Sequence, residues 1–300
     1  MPKLAVLDIG TNSIHMVLAE VQPDYTYKIL DRFKDMTRLG DGVFTSRRLS
    51  DQAMMRGLEV IRNLVTLARN KGYERIEGVA TSAVREARNG GEFLDHVAQQ
   101  TGLTVRVITG AEEARLIFLG VQNSVALPEP PTLVIDIGGG SVEVIVGNRE
   151  TIYQARSLKL GAIRLKDLYL TKTPPSKAML HELEEAVTSQ LKQALGTYKA
   201  KRVEQIIATS GMAGNLAEVI YLQRTGRPLQ QLNLTKISAK EIAAVEKRLA
   251  DATLKTRLAM PGLDPKRVDT LLPATMVFRI LLDLLRKDEL TICDKAIREG

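Results

Sequence analysis

The stretch Val6-Leu7-Asp8-Ile9-Gly10-Thr11-Asn12-Ser13 recurs later in the chain as Val134-Ile135-Asp136-Ile137-Gly138-Gly139-Gly140-Ser141, with five of the eight positions identical. Each copy has a short apolar run, an aspartate, a turn of small residues and a second apolar run. This is the pattern of a strand, a tight turn and a returning strand. Small residues let a backbone approach an anion closely, and successive N–H groups form an anion-binding concavity. The two copies therefore predict two phosphate-binding hairpins that face each other across a cleft.

The order of predicted elements is also repeated. Each half opens with hairpin strands and continues with alternating helices and strands, and a proline-rich segment at 125–131 separates the halves. The pattern predicts an α/β protein of two domains related by duplication, 1–124 and 125–300, with an interdomain cleft. The predicted elements include strands at 25–33 and 103–108 and helices at 53–70, 83–88, 176–198 and 241–254, with Ser50 and Ser238 as helix caps.

Composition limits the class of protein and its partners. An apolar content of 44% and a charged content of 26% are ordinary for a soluble globular protein of 300 residues. The single cysteine, Cys293, indicates a reducing, cytoplasmic setting, and we expect neither a signal peptide nor a membrane span. The net charge of +7 indicates an anionic partner. Because aromatic residues are scarce and no basic run is interleaved with them, we expect a phosphate compound and no nucleic acid.

Carboxylates near the second copy predict a metal site. Glu143 lies two residues beyond Ser141 on the returning strand, where the first copy has His15. Asp136 and Glu143 are expected to face one space, and their hard oxygen atoms suit Mg²⁺. A Rossmann or P-loop interpretation fails, because β-branched apolar runs follow the glycines where those motifs need a helix.

Glu113 has two interpretations. The spacing of Thr109 and Glu112 is that of a capping box, which explains Glu112 structurally. Glu113 has no such explanation beyond being an acid near a helix N-terminus. A carboxylate beside a phosphate can position or deprotonate a water, which is worth about 100- to 10,000-fold in rate. From spacing alone, a structural role for Glu113 is favoured.

Two further segments are candidates for phosphate contacts. Arg85 and Arg88 lie three apart near the start of a predicted helix, where the dipole disfavours cations unless an anion lies between them. Pairing with Glu86 or Glu92 is the alternative. Thr209-Ser210-Gly211 ends a predicted strand at a helix start. The sequence shows no zinc-ligand spacing and no nucleophile elbow or Ser-His-Asp pattern.

Taken together, these segments resemble the exopolyphosphatase and guanosine pentaphosphate phosphatase family, within the superfamily of sugar kinases, actin and heat-shock ATPases. The matching segments are 8–17, 81–89, 110–121, 136–143, 160–165, 209–211 and 296–300. The resemblance implies two ribonuclease-H-like domains and hydrolysis of a terminal phosphoanhydride bond. The implied cofactor is Mg²⁺, with Mn²⁺ as an alternative, and the implied substrate is inorganic polyphosphate or guanosine pentaphosphate, which becomes the tetraphosphate.

The resemblance also implies residue roles. Glu113 matches the catalytic base, which reverses the preference from spacing. Asp136 and Glu143 match the family's metal-site acids, with Asp8 as a contributor. The implied phosphate-binding residues are Asn12, Ser13, Arg85, Gly138, Gly139, Gly140 and Ser141, and we extend this role to Arg88, Ser210 and Gly211. Longer members continue past 296–300 into a helical domain, whereas this sequence stops there, either as a natural two-domain form or as a truncated one. The resemblance leaves a homodimer open.

Three other functions are compatible with the same residues. One is a non-catalytic sensor of polyphosphate or guanosine alarmones, another is a phosphotransferase of the superfamily, and the third is an actin-like filament protein. The sequence does not rank the two phosphate substrates.

Overall fold

The computed structural model describes residues 2–24, 26–196 and 203–300. The chain forms two compact units, Met1–Glu112 and Glu113–Gly300. The division falls inside a helix and precedes the proline-rich segment at 125–131, so the domain limits 1–124 and 125–300 stay a prediction. In the part of the chain that the structure describes, no helix combines the length and apolar character needed to cross a membrane.

Unit one is built on one five-stranded sheet. Its strands are β1 (Lys3–Ile9), β2 (Ile14–Val21), β3 (Tyr27–Asp35), β4 (Arg75–Ala80) and β5 (Val105–Val107). They lie in the order β3-β2-β1-β4-β5, with β1 to β3 antiparallel and β4 and β5 parallel to β1. Its helices are α1 (Val43–Ser46), α2 (Asp51–Asn70), α3 (Ser82–Glu86) and α4 (Gly90–Thr101), and α5 (Gly110–Gln122) begins in this unit and continues into the next.

Unit two is built on a six-stranded sheet. Its strands are β6 (Thr132–Ile137), β7 (Val142–Gly147), β8 (Ile152–Leu158), β9 (Gln205–Thr209), β10 (Lys236–Ser238) and β11 (Glu289–Ile292). The order is β10-β11-β9-β6-β7-β8. Its helices are α6 (Ala162–Tyr169), α7 (Lys177–Leu195), α8 (Gly211–Thr225), α9 (Ala239–Asp251), α10 (Leu254–Leu258) and α11 (Leu271–Leu285), with a 3₁₀ turn at Pro265–Arg267.

The two sheets confirm the predicted duplication. In each, an antiparallel meander of three strands is extended by parallel strands beside its first strand, so β8-β7-β6-β9-β11 repeats β3-β2-β1-β4-β5. Unit two adds β10 at one edge, antiparallel to β11. This is the predicted α/β architecture of two ribonuclease-H-like, actin-like sheets.

Most predicted helices are present, with corrected limits. Ser50 caps α2 and Ser238 forms a full capping box with Glu241 on α9, as predicted. Helix α9 ends at Asp251, before the predicted 254, because Thr253 caps the new helix α10. The predicted limits at Tyr25 and Tyr198 lie outside the described residues. The short elements α1, α6, α10, β10 and β11 are missing from the sequence prediction, since segments of eight residues or fewer give little periodicity.

The second sheet is covered on both faces. Leu133, Ile135 and Ile137 of β6 point into the large core formed with helices of unit two. Val134 points to the other face, where it packs with Phe118 and other apolar residues of α5. Alternation along β6 and β7 therefore gives this sheet one face turned to α5, and polar residues on that face lie beside α5.

Candidate active site

Two acidic side chains interrupt the apolar face that the second sheet turns to α5. Asp136 lies two residues after Val134 on β6, and Glu143 lies two residues before Ile145 on β7; both apolar residues belong to the cluster with α5. Asp136 and Glu143 are directly opposite in the antiparallel register of β6 and β7. They are 8% and 1% exposed. The prediction that these two carboxylates face one space agrees with this register.

Glu113 reaches the same face from α5. It lies one turn before Ile117, which packs on the sheet beside Val134, and it is 8% exposed. Burial, and then the charges of Glu113 and Asp136, raise the pKa of Glu143 well above its ordinary value, although hydroxyl groups of Ser157 and Ser141 oppose this. Three carboxylates from β6, β7 and α5 thus converge, and at least one of them favours a proton or a nearby cation.

We expect Glu143→Gln to melt at a higher temperature than the wild type in metal-free buffer at alkaline pH. Because the pKa of Glu143 is raised in the folded state, the unfolded chain loses this proton at lower pH. Wild-type stability therefore falls as pH rises between the two pKa values, and glutamine removes that loss. By calorimetry with EDTA, the difference should be near zero at about pH 4 and reach a few degrees at about pH 8.

Glu182→Gln is the matched control, because Glu182 is exposed on α7 of the same unit. Its melting curve should follow that of the wild type at every pH. If the difference in melting temperature between Glu143→Gln and the wild type does not change with pH, the pKa of Glu143 is not raised in the folded state.

The neighbouring acid Glu112 differs from Glu113. The hydroxyl of Thr109 accepts the Glu112 N–H at 3.2 Å, which confirms half of the predicted capping box. The Glu112 carboxylate instead pairs with Arg106 at 2.5 Å, on the surface. Two consecutive glutamates therefore have different environments: one is an exposed ion-pair partner, and the other is buried among acids.

The second loop, residues 138–141, is held by α6. The carbonyls of its first three residues accept hydrogen bonds from this helix: from Ala162 N at 2.9 Å, Ile163 N at 2.9 Å and Arg164 Nε at 2.7 Å. Gly161 packs directly against the same loop, where an added Cβ would lie 2.3 Å from the backbone of Gly140. The first turn of α6 thus acts as a clamp on the carbonyl side of the loop.

This clamp decides where the N–H groups of the loop point. In a trans peptide unit the C=O and the next N–H point in opposite directions. Three successive carbonyls face α6, so the N–H groups of Gly139, Gly140 and Ser141 all point away from it. Successive N–H groups on one side form an anion-binding concavity. The sequence predicted phosphate contacts at these glycines but not the helix that orients them.

The first loop, residues 10–13, is arranged in the same way with different partners. The carbonyl of Thr11 accepts the Gly40 N–H at 2.8 Å, and the carbonyl of Asn12 accepts the Arg38 N–H at 2.9 Å. The N–H groups of Asn12 and Ser13 therefore point away from the segment at 37–42. The amide oxygen of Asn12 is buried and has no hydrogen-bond partner among the described residues. Such an atom is a candidate contact for a bound ligand.

The sequence argument that Arg85 and Arg88 lie near a helix N-terminus is wrong. Helix α3 is only five residues long, so Arg85 lies in its last turn, where the dipole favours a cation, and Arg88 lies beyond it. The helix ends because Ala87 is extended. Arg85 donates to the carbonyl of Ile108 at 2.8 Å. Both arginines stay predicted phosphate contacts, without the helix-dipole argument.

Ser210 and Gly211 lie beside the second loop at the same sheet edge. Thr209 is in register with Asp136 in the parallel pair of β9 and β6. Ser210 has a φ of 99° and caps α8. Arg267, which is 7% exposed, lies against Gly211, where an added Cβ would be 2.4 Å from the Arg267 guanidinium. Burial lowers the pKa of Arg267, and no local pattern in the sequence indicated this cation.

The residues present fit a divalent metal ion. Mg²⁺ is commonly held by one or two carboxylates together with phosphate oxygens and water. Asp136 and Glu143 provide such a pair. Among the described residues, no three His, Cys, Asp or Glu side chains form a complete metal-binding group. Asp8 lies at the equivalent position of β1, opposite His15, and is 9% exposed.

Duplicated actin-like sheets, each with an aspartate and a loop of small residues after its first strand, are typical of a class of phosphate-binding proteins. A model of the Ppx/GppA phosphatase family matches residues 13–300. The chain belongs to this family, as the sequence resemblance predicted.

Relatives and solved structures agree with this assignment over almost the whole chain. Exopolyphosphatase 2 of Mycobacterium tuberculosis is 29% identical, covering 100% of this chain and 97% of the relative. Exopolyphosphatase 1 of Mycobacterium leprae is 28% identical, covering 99% and 88%. The crystal structure of an exopolyphosphatase from Cytophaga hutchinsonii has a TM-score of 0.90 at 29% identity, covering 99% and 96%. The Ppx/GppA family member of Aquifex aeolicus has a TM-score of 0.81 at 26% identity, covering 100% and 95%.

Proposed function

We propose that this protein is an exopolyphosphatase, a hydrolase that releases the terminal phosphate of inorganic polyphosphate with the help of Mg²⁺. The observation that carries the proposal is the second loop, whose three N–H groups point to one side directly after Asp136 on β6. Buried carboxylates of Glu113 and Glu143 lie on the same face of the sheet. Membership of a phosphatase family and relatives named exopolyphosphatase support the same reaction.

The residues suggest a division of labour in the reaction. The loop N–H groups hold the oxygens of the terminal phosphate and offset the charge that develops on them. Glu113 accepts a proton from a water whose oxygen forms a bond to the terminal phosphorus. The anhydride P–O bond breaks, and the shortened chain leaves with its electron pair. Asp136 and Glu143 would hold Mg²⁺, which when bound supplies positive charge to the phosphate oxygens.

We expect phosphate release from long-chain polyphosphate to require a divalent cation. Activity should disappear in EDTA and return with Mg²⁺, with Mn²⁺ as the alternative, because the phosphate and the acidic cluster repel each other without a cation. The measurement is release of inorganic phosphate from polyphosphate, guanosine pentaphosphate and ATP at several metal concentrations. Guanosine pentaphosphate is included as the second substrate that the sequence resemblance implies.

The other outcomes of this experiment separate the competing functions. Tight binding of every compound without turnover would overturn the proposal and favour a sensor. Phosphate transfer from ATP to an added acceptor, without release from polyphosphate, would favour a phosphotransferase. Faster release from guanosine pentaphosphate than from polyphosphate would keep the reaction and change the substrate.

A further inference from the structure

The serine of the first loop has a close partner on β2. Ser13 Oγ lies 2.7 Å from His15 Nε2. His15 is opposite Asp8 on β1 and opposite Lys34 on β3, so these three residues form one row across the sheet. Both Ser13 and His15 are partly buried. The register of the strands therefore fixes the position of His15, and the end of the loop brings Ser13 within hydrogen-bond distance of it.

The second copy has the same row with different chemistry. Glu143 takes the place of His15, and it lies opposite Asp136 on β6 and Ser157 on β8. The Ser157 hydroxyl donates to Glu143 Oε1 at 2.7 Å, and the loop residue Ser141 is also hydrogen-bonded to this carboxylate. In each copy, the loop serine is bound to the side chain two residues further on.

These two partners orient a hydroxyl in opposite ways. A carboxylate that a nearby cation keeps ionised can only accept hydrogen bonds, so in that state Ser141 donates its proton to Glu143 and presents oxygen lone pairs elsewhere. An imidazole nitrogen that carries a proton donates it. If His15 Nε2 carries the proton, the Ser13 oxygen accepts from it, and the hydroxyl proton of Ser13 is left to bind a phosphate oxygen.

We propose that His15 is a positioning residue that holds Ser13 as a hydrogen-bond donor to phosphate. The inference rests on the proposed phosphate-binding role of the first loop and assigns the hydroxyl groups of the two loop serines different tasks. Ser13 gives a proton to an anion, whereas Ser141 offers lone pairs that suit a cation or its water. The first copy has His15 where the second has Glu143, and this difference separates a serine hydroxyl that faces phosphate from one that faces a cation.

The test is a double-mutant cycle on binding of tripolyphosphate, measured by calorimetry with Mg²⁺. Every protein in the cycle, including the parent, carries Glu113→Gln so that turnover does not interfere. His15→Leu should weaken binding about ten-fold, because a hydrogen bond to a charged phosphate is lost. Ser13→Ala should weaken it by a similar factor. The double variant should be no weaker than either single one, since both changes remove the same interaction.

Two other substitutions of His15 separate positioning from packing. His15→Gln has an amide donor at a similar reach, so its affinity for tripolyphosphate should stay within about three-fold of that of the parent protein. His15→Glu copies the chemistry of the second loop, so it should take the Ser13 proton and add a negative charge. It should bind tripolyphosphate more weakly than His15→Leu. A residue that only packs would give the opposite order for leucine and glutamine.

His96→Leu is the matched control, since His96 is exposed on α4 of the same unit. Its affinity should equal that of the Glu113→Gln parent. Unchanged affinity in His15→Leu, additive losses in the double variant, or no tripolyphosphate binding by the Glu113→Gln parent with Mg²⁺ would each overturn the inference. Phosphate release is measured separately, on proteins that keep Glu113. If the enzyme is active but the effects of His15→Leu and Ser13→Ala are additive, only the role of His15 is rejected. If the two effects are coupled but the protein releases no phosphate, only the proposed reaction is rejected.

Discussion

Replacing Glu113 with glutamine is expected to lower kcat for phosphate release from polyphosphate by about 100- to 10,000-fold, the usual contribution of a general base. Glutamine has nearly the same shape but does not take a proton from water. Because Glu113 is not needed to bind the phosphate in this scheme, KM should change by less than about three-fold. Initial rates over a range of polyphosphate concentrations, at saturating Mg²⁺, measure both quantities.

Loss of folding is not expected to contribute to this result. The charge of Glu113 raises the pKa of Glu143, so removing it relieves repulsion and should not lower the melting temperature. Glu112→Gln is the control, because its carboxylate lies on the surface beside Arg106. That variant should keep at least about half of the wild-type rate, since an exposed ion pair contributes little. An active Glu113→Gln protein would reject the assignment of the base and leave the reaction itself in place.

A single methyl group at Gly161 is expected to reduce kcat/KM by about 100-fold or more. The added Cβ would lie 2.4 Å from the N atoms of Gly140 and Ser141. Because backbone atoms do not move aside as a flexible side chain does, either the second loop or α6 must shift. A displacement of about 1 Å in a group that positions substrate is worth about 100-fold in rate. Kinetics of Gly161→Ala with polyphosphate test this, with circular dichroism to show that the protein remains folded.

Gly91→Ala is the control for the change from glycine to alanine. Gly91 lies in the first turn of α4, and an added Cβ meets no atom within 4 Å. Alanine there should leave the rate unchanged and add up to about 1 kcal/mol of stability. Full activity of a folded Gly161→Ala protein would mean that the clamp from α6 does not position the loop.

The fold was predictable because its main signals are local and repeated. Two hairpins of apolar strands, each with an aspartate near the end of its first strand, establish the duplication before any long-range contact is known. Serine caps gave the starts of α2 and α9 for the same reason. In α11, Pro273 lies at the third position, where its missing N–H is not needed, so it does not break the helix.

The candidate site was predictable only in part. The acids Asp136 and Glu143 follow from the hairpin register, but the convergence of Glu113 on them depends on how α5 packs against the sheet. The carbonyl clamp was missed because Gly161 and Arg164 act on a loop more than twenty residues earlier in the chain. Arg267 was missed for the same reason, since it contacts Gly211 from a distant part of the sequence.

The hydrogen-bond donors that hold the carbonyls of the two loops differ in how easily a mutation removes them. The carbonyl of Asn12 is held by the backbone N–H of Arg38, a donor that every residue except proline supplies. The corresponding carbonyl of Gly140 is held by the side chain of Arg164, which few residues can replace. The carbonyl of the first loop therefore depends on no particular side chain for its anchor, whereas that of the second depends on one arginine. Neutral drift is expected to be slower around the second loop than around the first.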